Sequence, residues 1–175
     1  MPAATGPDAT TSTDGPALTT DGVWRTLARQ PFMVIGMVNG RGEGRSAGVS
    51  LAVHDDALWT SSDAGAWKTR HLRHQPEVSV TVPVRRGGVL ALVAPIPPAV
   101  VTCNATAHVL PAAAAPGPVR RRLLRGLKLT EEVLADVVAI RLVPHGDFVT
   151  YGLGVSLLGM LDTERARGRV PVARA

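Results

Sequence analysis

The sequence predicts a mainly β protein: an antiparallel barrel or sandwich carrying a few accessory helices. Three observations lead there. Residues 77–84 alternate strictly, with Val78, Val80, Val82 and Val84 on one face, which is the period-two signature of a strand. Most of the predicted strands precede the main helices. The connections are mostly of hairpin length, too short for the crossovers of a doubly wound α/β sheet.

The elements follow in order. Residues 1–20 are Thr, Ala, Pro and Gly with almost no core-forming side chains, and read as a disordered tail. Asp21 is placed to N-cap a short helix bearing Val23, Trp24 and Leu27, which stops before Pro31. Residues 32–38 form an apolar strand, and Asn39-Gly40 begins a reversal through Gly42 and Gly44. Residues 46–54 return, Asp55-Asp56 turns tightly, and residues 57–62 complete a three-strand meander. A helix near residues 66–74 ends at Pro76, and the valine-rich strand follows. Arg85 to Gly88 is a turn, residues 89–93 a short strand broken by the prolines that follow, and residues 99–110 another strand. An Ala/Pro linker over residues 111–118 leads to a helical pattern at Val119, Leu123, Leu124 and Leu127, and Thr130 offers a fresh N-cap. Residues 137–150 return to strand, kinked around Pro144-His-Gly146. Three segments result: the tail at 1–20, one folded domain at 21–155 and a basic C-terminal extension at 156–175.

Composition narrows the class. Hydrophobic content of 45% and a mean hydropathy of +0.14 describe a folded chain, and 175 residues suffice for one core. Aromatics make up only 3%, so that core is built from Val, Leu, Ala and Ile. The net charge of +5 suits an anionic partner, either a polyanion or a phosphorylated small molecule. The single Cys103 excludes an internal disulfide, fits a reducing compartment, and sits in strand-like flanks as a half-buried thiol. No apolar run reaches the roughly 18 residues of a membrane span, and no signal peptide is recognisable. The expected location is cytoplasmic.

Several motifs fail on context. Gly40-Arg-Gly42-Glu-Gly44 superficially matches a dinucleotide fingerprint, but a strand follows where the fingerprint needs a helix. His71 and His74 share a helix face without a third ligand and lie among arginines that repel a cation, so no metal site is assigned. His54 beside Asp55 and Asp56 belongs to a turn. The arginines at 120–122 and 125 favour a polyanion, yet no reading module or stacking aromatics accompany them, which argues against nucleic acid.

One stretch survives: Lys68-Thr-Arg70-His-Leu72, after the polar turn that ends Leu58-Trp59-Thr60-Ser61-Ser62. Fixed cations at a helix start combine with the free N–H groups and the helix dipole to grip a phosphate. With Pro76-Glu-Val78 behind it and Ala105-Thr-Ala107-His-Val109 later, this segment resembles the pyridoxamine 5'-phosphate oxidase-like family of FMN-binding split barrels. The order of elements over most of residues 21–150 agrees.

The resemblance implies a six-stranded antiparallel split barrel that forms a homodimer, with flavin mononucleotide (FMN) in clefts between subunits. By position, Lys68 would contact the flavin phosphate, with Ser61 and Ser62 beside it and Arg70 adding charge. Ser50 would line the isoalloxazine or its ribityl chain, and Trp67, where an arginine or small residue is usual, would pack on the cofactor. Ala66 replaces a serine common two residues before the lysine, and Ala105 replaces the family's strand glycine. The C-terminal segment by which true pyridoxamine phosphate oxidases hold substrate is not recognisable, which argues against that reaction. The resemblance thus implies an FMN-dependent oxidoreductase acting on a small-molecule substrate, with a deazaflavin coenzyme as the alternative in the same cleft. A non-catalytic flavin or tetrapyrrole binder and a basic docking module are the readings from other classes. Tyr151 with the glycine-rich residues 152–155 is either a cover for the cleft or an ordinary chain end.

Overall fold

In the computed structural model, the described residues are 18–85, 99–125, 136–156 and 162–174. The N-terminal tail up to residue 17, the turn and short strand expected over 86–93, the prolines that follow and the Thr130 cap lie outside them. The elements are α1 (Thr20–Ala28), β1 (Phe32–Val38), β2 (Gly44–Ser50), β3 (Ala52–His54), β4 (Ala57–Asp63), α2 (Trp67–His74), β5 (Glu77–Val84), β6 (Ala99–Pro111), α3 (Gly117–Leu123), β7 (Val137–Tyr151), α4 (Thr163–Ala166) and β8 (Arg167–Pro171).

All eight strands among the described residues join one antiparallel sheet of order β2-β1-β5-β6-β7-β4-β3, with β8 added against β7. The ends of this order, β2 and β3, are consecutive stretches of chain separated by Leu51 alone. A continuous stretch that pairs with β1 before Leu51 and with β4 after it brings the two edges of the sheet together. The sheet therefore curls on itself, which protects edges a flat sheet would expose. Counting residues 44–54 as one broken strand and setting β8 aside gives the six strands expected of the barrel. The two additions are the interruption at Leu51 and the C-terminal strand β8.

Packing explains the closure. Met33, Ile35 and Met37 of β1, Leu58 of β4, the four valines of β5, and Ile140 and Leu142 of β7 converge inside the curl. The helix α1 plugs one end with Val23, Trp24 and Leu27. The Trp24 and Phe148 rings meet edge to face at 5.1 Å, and Trp24 Nε1 donates to the Val172 carbonyl at 3.2 Å. A second, smaller core of Ala52, Trp59, Ala115, Val119 and Ala139 lies beneath α3, outside the curl. Cys103 is buried, and burial pushes its thiol up to about 12.

Local chemistry sets the boundaries. Thr19, not Asp21, caps α1: its backbone is extended and its hydroxyl accepts the Gly22 N–H at 3.1 Å, which leaves Asp21 in the first turn. Asp55 and Asp56 both adopt positive φ (47° and 50°), the left-handed pair of a tight two-residue hairpin, tolerated by Asp because its short side chain fits there. In β7 the pairing with β6 shifts between Thr102↔Val149 and Asn104↔His145, and Gly146 takes φ +70° in the extra length. Residues 111–118, expected as a linker, form a 3-10 turn (Ala112–Ala114) and the start of α3. Arg122 of α3 donates to the Leu51 carbonyl (3.1 Å) and the Gln30 carbonyl (2.9 Å), satisfying backbone groups where the strand breaks and α1 ends. The basic C-terminal segment supplies β8 along the second half of β7.

Candidate functional site

The site is built on the junction of β4 and α2. As β4 ends, the Asp63 carboxylate accepts the Gly65 N–H at 2.7 Å and its carbonyl accepts the Ala66 N–H at 3.2 Å, turning the chain into the helix. Thr69, fully buried, locks that turn: its Oγ1 donates to the Asp63 carbonyl at 2.7 Å and lies 2.9 Å from Ser62 Oγ. The N-cap is Ala66, which has no side-chain oxygen, so no side chain caps the first turn of α2. Lys68 stands half-buried in that turn, and among the described residues no hydrogen bond or ion pair engages it. Arg70 and Arg73 reach back to the Gly65 and Ala64 carbonyls at 2.9 and 3.4 Å. Backbone donors and three cationic side chains thus gather at one turn.

The outward stripe of α2 forms a wall. Trp67, Arg70, His71 and His74 recur at helical spacing and face the β1–β2 hairpin residues Asn39, Gly40 and Arg45 across a cleft of about 530 Å³. The Arg45 guanidinium lies 5.7 Å from the Trp67 ring centroid, a cation–π contact that holds both side chains at the cleft. Among the described residues no carboxylate lines it. The nearby Glu43 carboxylate is engaged by the Asn39 amide at 2.6 Å. His71 Nε2 is buried with no hydrogen-bond partner among the described residues, an orphaned polar atom beside the cleft. A site of this composition favours an anion with a planar portion.

The sequence-predicted residues do not all meet here. Trp67 and Arg70 line the cleft, and Lys68 belongs to the same helical turn. Ser61 and Ser62 are consecutive strand residues and take opposite faces. Ser62 is buried against Thr69, whereas Ser61 lines a small cavity with Ala112, Arg120 and Ala139 on the α3 side. Ser50, at the end of β2, places its hydroxyl 3.5 Å from that of the fully buried Thr60. Tyr151 ends β7, next to β8. Arg45 is the functional candidate that sequence reasoning misses, because its hairpin reads as a reversal alone and its contact with Trp67 is nonlocal. The signal available is a lone arginine where the glycine-rich tip enters a strand.

Among the described residues no group of three or more His, Cys, Asp or Glu side chains is placed to hold a metal, and no helix is long and apolar enough to cross a membrane.

No protein-family model and no curated protein matches the sequence. Solved structures do. An F420 reductase superposes with a TM-score of 0.54 at 17% identity, over 71% of this chain and 93% of that one. A heme-binding protein from Mycobacterium smegmatis gives a TM-score of 0.62 at 14% identity, over 90% of this chain and 60% of that one. A putative pyridoxamine 5'-phosphate oxidase from Listeria innocua gives 0.51 at 19%, over 71% and 92%. Likenesses at such low identity speak to architecture, and with the curled sheet described above they establish that the chain has the FMN-binding split-barrel fold of the pyridoxamine 5'-phosphate oxidase-like proteins.

Proposed function

We propose that the protein is an FMN-dependent oxidoreductase acting on a small organic molecule, working as a homodimer whose subunits enclose the cofactor between them. The observation that carries this reading is the uncapped first turn of α2 with an unengaged Lys68 in it. A phosphate is the group such a turn lacks: it would accept the free N–H groups and neutralise the lysine. The cleft beside it, with Arg45, Arg70 and the orphaned His71 Nε2, extends the positive field without an opposing carboxylate. The residues present therefore fit a phosphorylated, planar cofactor.

The bound flavin would supply hydride and electron transfer. The residues of this chain would bind and orient it. Lys68 and the α2 N–H groups would hold the phosphate, Arg70 would fix the turn through the Gly65 carbonyl while adding charge, and Trp67, 42% exposed, would offer its ring face to the cofactor. Ser50 would serve the ribityl side of the site and Ser61 and Ser62 would shape the strand end, Ser62 by way of Thr69. The dimer is supported by apolar side chains left on the outer face of β1, Phe32 at 45% and Val38 at 53% exposure.

A deazaflavin coenzyme is the second reading, favoured by the fold shared with an F420 reductase, and it too carries a phosphate for Lys68. The deciding experiment is the visible spectrum of the purified protein, repeated after adding FMN, the deazaflavin or heme in turn. Flavin bands, or their stoichiometric uptake, support the leading reading. Uptake of the deazaflavin alone supports the second, and uptake of heme alone, or of none of the three, overturns both.

A further inference from the structure

A second cavity opens on the outer face of the sheet, around the start of β5. One cross-strand row, Ser46–Gly36–Ser79–Asn104–His145, runs across β2, β1, β5, β6 and β7. Side chains in register on neighbouring antiparallel strands share one face. The whole row lines a groove of about 630 Å³, within the range of small-molecule sites, and Gly44, Val38 and Glu77 widen it.

The groove is built for hydrogen bonding rather than for charge. A Cβ on Gly36 would collide with Ser79 Oγ, so the missing side chain lets that hydroxyl lean across the floor. A Cβ on Gly44 would meet nothing within 4 Å, which leaves the rim open. Among the described residues no hydrogen bond or ion pair engages the side chains of Ser46, Ser79 or Asn104. His145 is fixed by Glu77, whose carboxylate lies 3.1 Å from Nε2 and accepts the Thr106 hydroxyl at 2.8 Å. That contact places the imidazole proton on Nε2 and leaves Nδ1 as an acceptor. The two fixed charges of the lining, Glu77 and Arg45, are opposite in sign, and each has its own partner: His145 for the one, the Trp67 ring for the other.

We propose that this groove binds an uncharged, hydroxyl-rich ligand, a short linear glycan. Neighbouring strands stand about 4.8 Å apart, close to the length of one sugar ring, so hydroxyls of successive rings meet Ser46, Ser79, Asn104 and His145 in turn. The gap at Gly36 gives a ring room to lie on the sheet, and Val38, 53% exposed, offers it an apolar edge. Arg45 is the one lining residue shared with the α2 cleft, and the proposal does not rest on the flavin reading.

The test is titration of the full, isotope-labelled chain with cellotetraose, a straight uncharged glycan, followed by amide NMR. Saturable shifts centred on Gly36, Ser79, Asn104 and His145 are expected. Glucose should bind more weakly by about ten-fold or more, because it reaches fewer of these groups. Asn104→Ala should weaken cellotetraose by a similar factor. Gly44→Leu, whose side chain enters open space, should block the groove in a protein whose remaining signals stay in place. Lys68→Ala should leave binding unchanged. The proposal is overturned if cellotetraose shifts nothing, as when a second copy of the chain covers this row, or if the shifts lie elsewhere. It is equally overturned if glucose binds as tightly, or if Asn104→Ala or Gly44→Leu retains wild-type affinity.

Discussion

The Thr69 hydroxyl lies 2.9 Å from that of Ser62, and this pair joins the last buried residue of β4 to the first turn of α2. Both side chains are buried and Thr69 also donates to the Asp63 carbonyl. The direction in which α2 leaves the sheet, and so the position of Lys68 and of the cleft wall, follows from this contact. Thr69→Val is near in shape and removes the hydroxyl, taking from the Asp63 carbonyl its shortest hydrogen bond and from Ser62 Oγ its contact with Thr69. It should lower stability by about 1–3 kcal/mol. Ser62→Ala should cost less than that, and the two changes together should cost less than their sum, because they remove a common interaction. Urea unfolding of the four proteins checks it; strict additivity would show that the pair is not coupled.

Arg122 makes a similar junction at the opposite end of the barrel. Its guanidinium binds the Leu51 and Gln30 carbonyls, where the strand changes partner from β1 to β4. Arg122→Ala should destabilise by about 1–2 kcal/mol, and Arg122→Lys should recover only part of that, since an ammonium does not span the two carbonyls as the planar fork does. Thermal melting measures both. Arginines 120–122 look alike in the sequence as a solvated or polyanion-binding run, and this one is a brace.

Glu77 gives the pH dependence. The Thr106 hydroxyl donates to its carboxylate at 2.8 Å and His145 Nε2 lies 3.1 Å from the other oxygen. The Thr106 hydrogen bond first, and then His145, hold the Glu77 carboxyl below its ordinary value of 4.5. A depressed carboxyl stabilises the fold above its unfolded pKa, and that contribution is lost as pH falls through the folded one. The melting temperature of wild type should therefore exceed that of Glu77→Gln at neutral pH, and the two curves should converge as pH is lowered below about 4. A gap that persists unchanged in acid would mean that the substitution acts through packing.

Much of the barrel was legible because its signals are local. The four valines of β5 give its face and both of its ends. The Asp-Asp hairpin shows itself by residue type, and the strand bounds at β1 follow from an uninterrupted apolar run. What stayed hidden depends on distant partners. The break at Leu51 does not interrupt the apolar pattern, because the chain stays extended and changes only the strand it pairs with. β8 has one apolar residue, Val170, in its five, so an edge strand pairing through its backbone carries no alternation to read. Within the candidate site, the helix turn and the place of Lys68 in it were readable from spacing. The contact of Arg45 with Trp67, across more than twenty residues of chain, was not. The opposed faces of Ser61 and Ser62 follow from strand period alone, and a stricter use of that period separates them without a structure.

Phosphate binding by Lys68 and the first turn of α2, as proposed, is tested by comparing FMN with riboflavin, which differ by that group alone. Equilibrium fluorescence titration of both ligands into wild type and Lys68→Ala isolates it. Wild type should bind FMN more tightly than riboflavin by about ten-fold or more, as expected for charge-assisted hydrogen bonds to a dianion. Lys68→Ala should remove most of that difference while leaving riboflavin affinity nearly unchanged. Equal affinities for the two ligands in wild type, or an undiminished preference for FMN in Lys68→Ala, would contradict it.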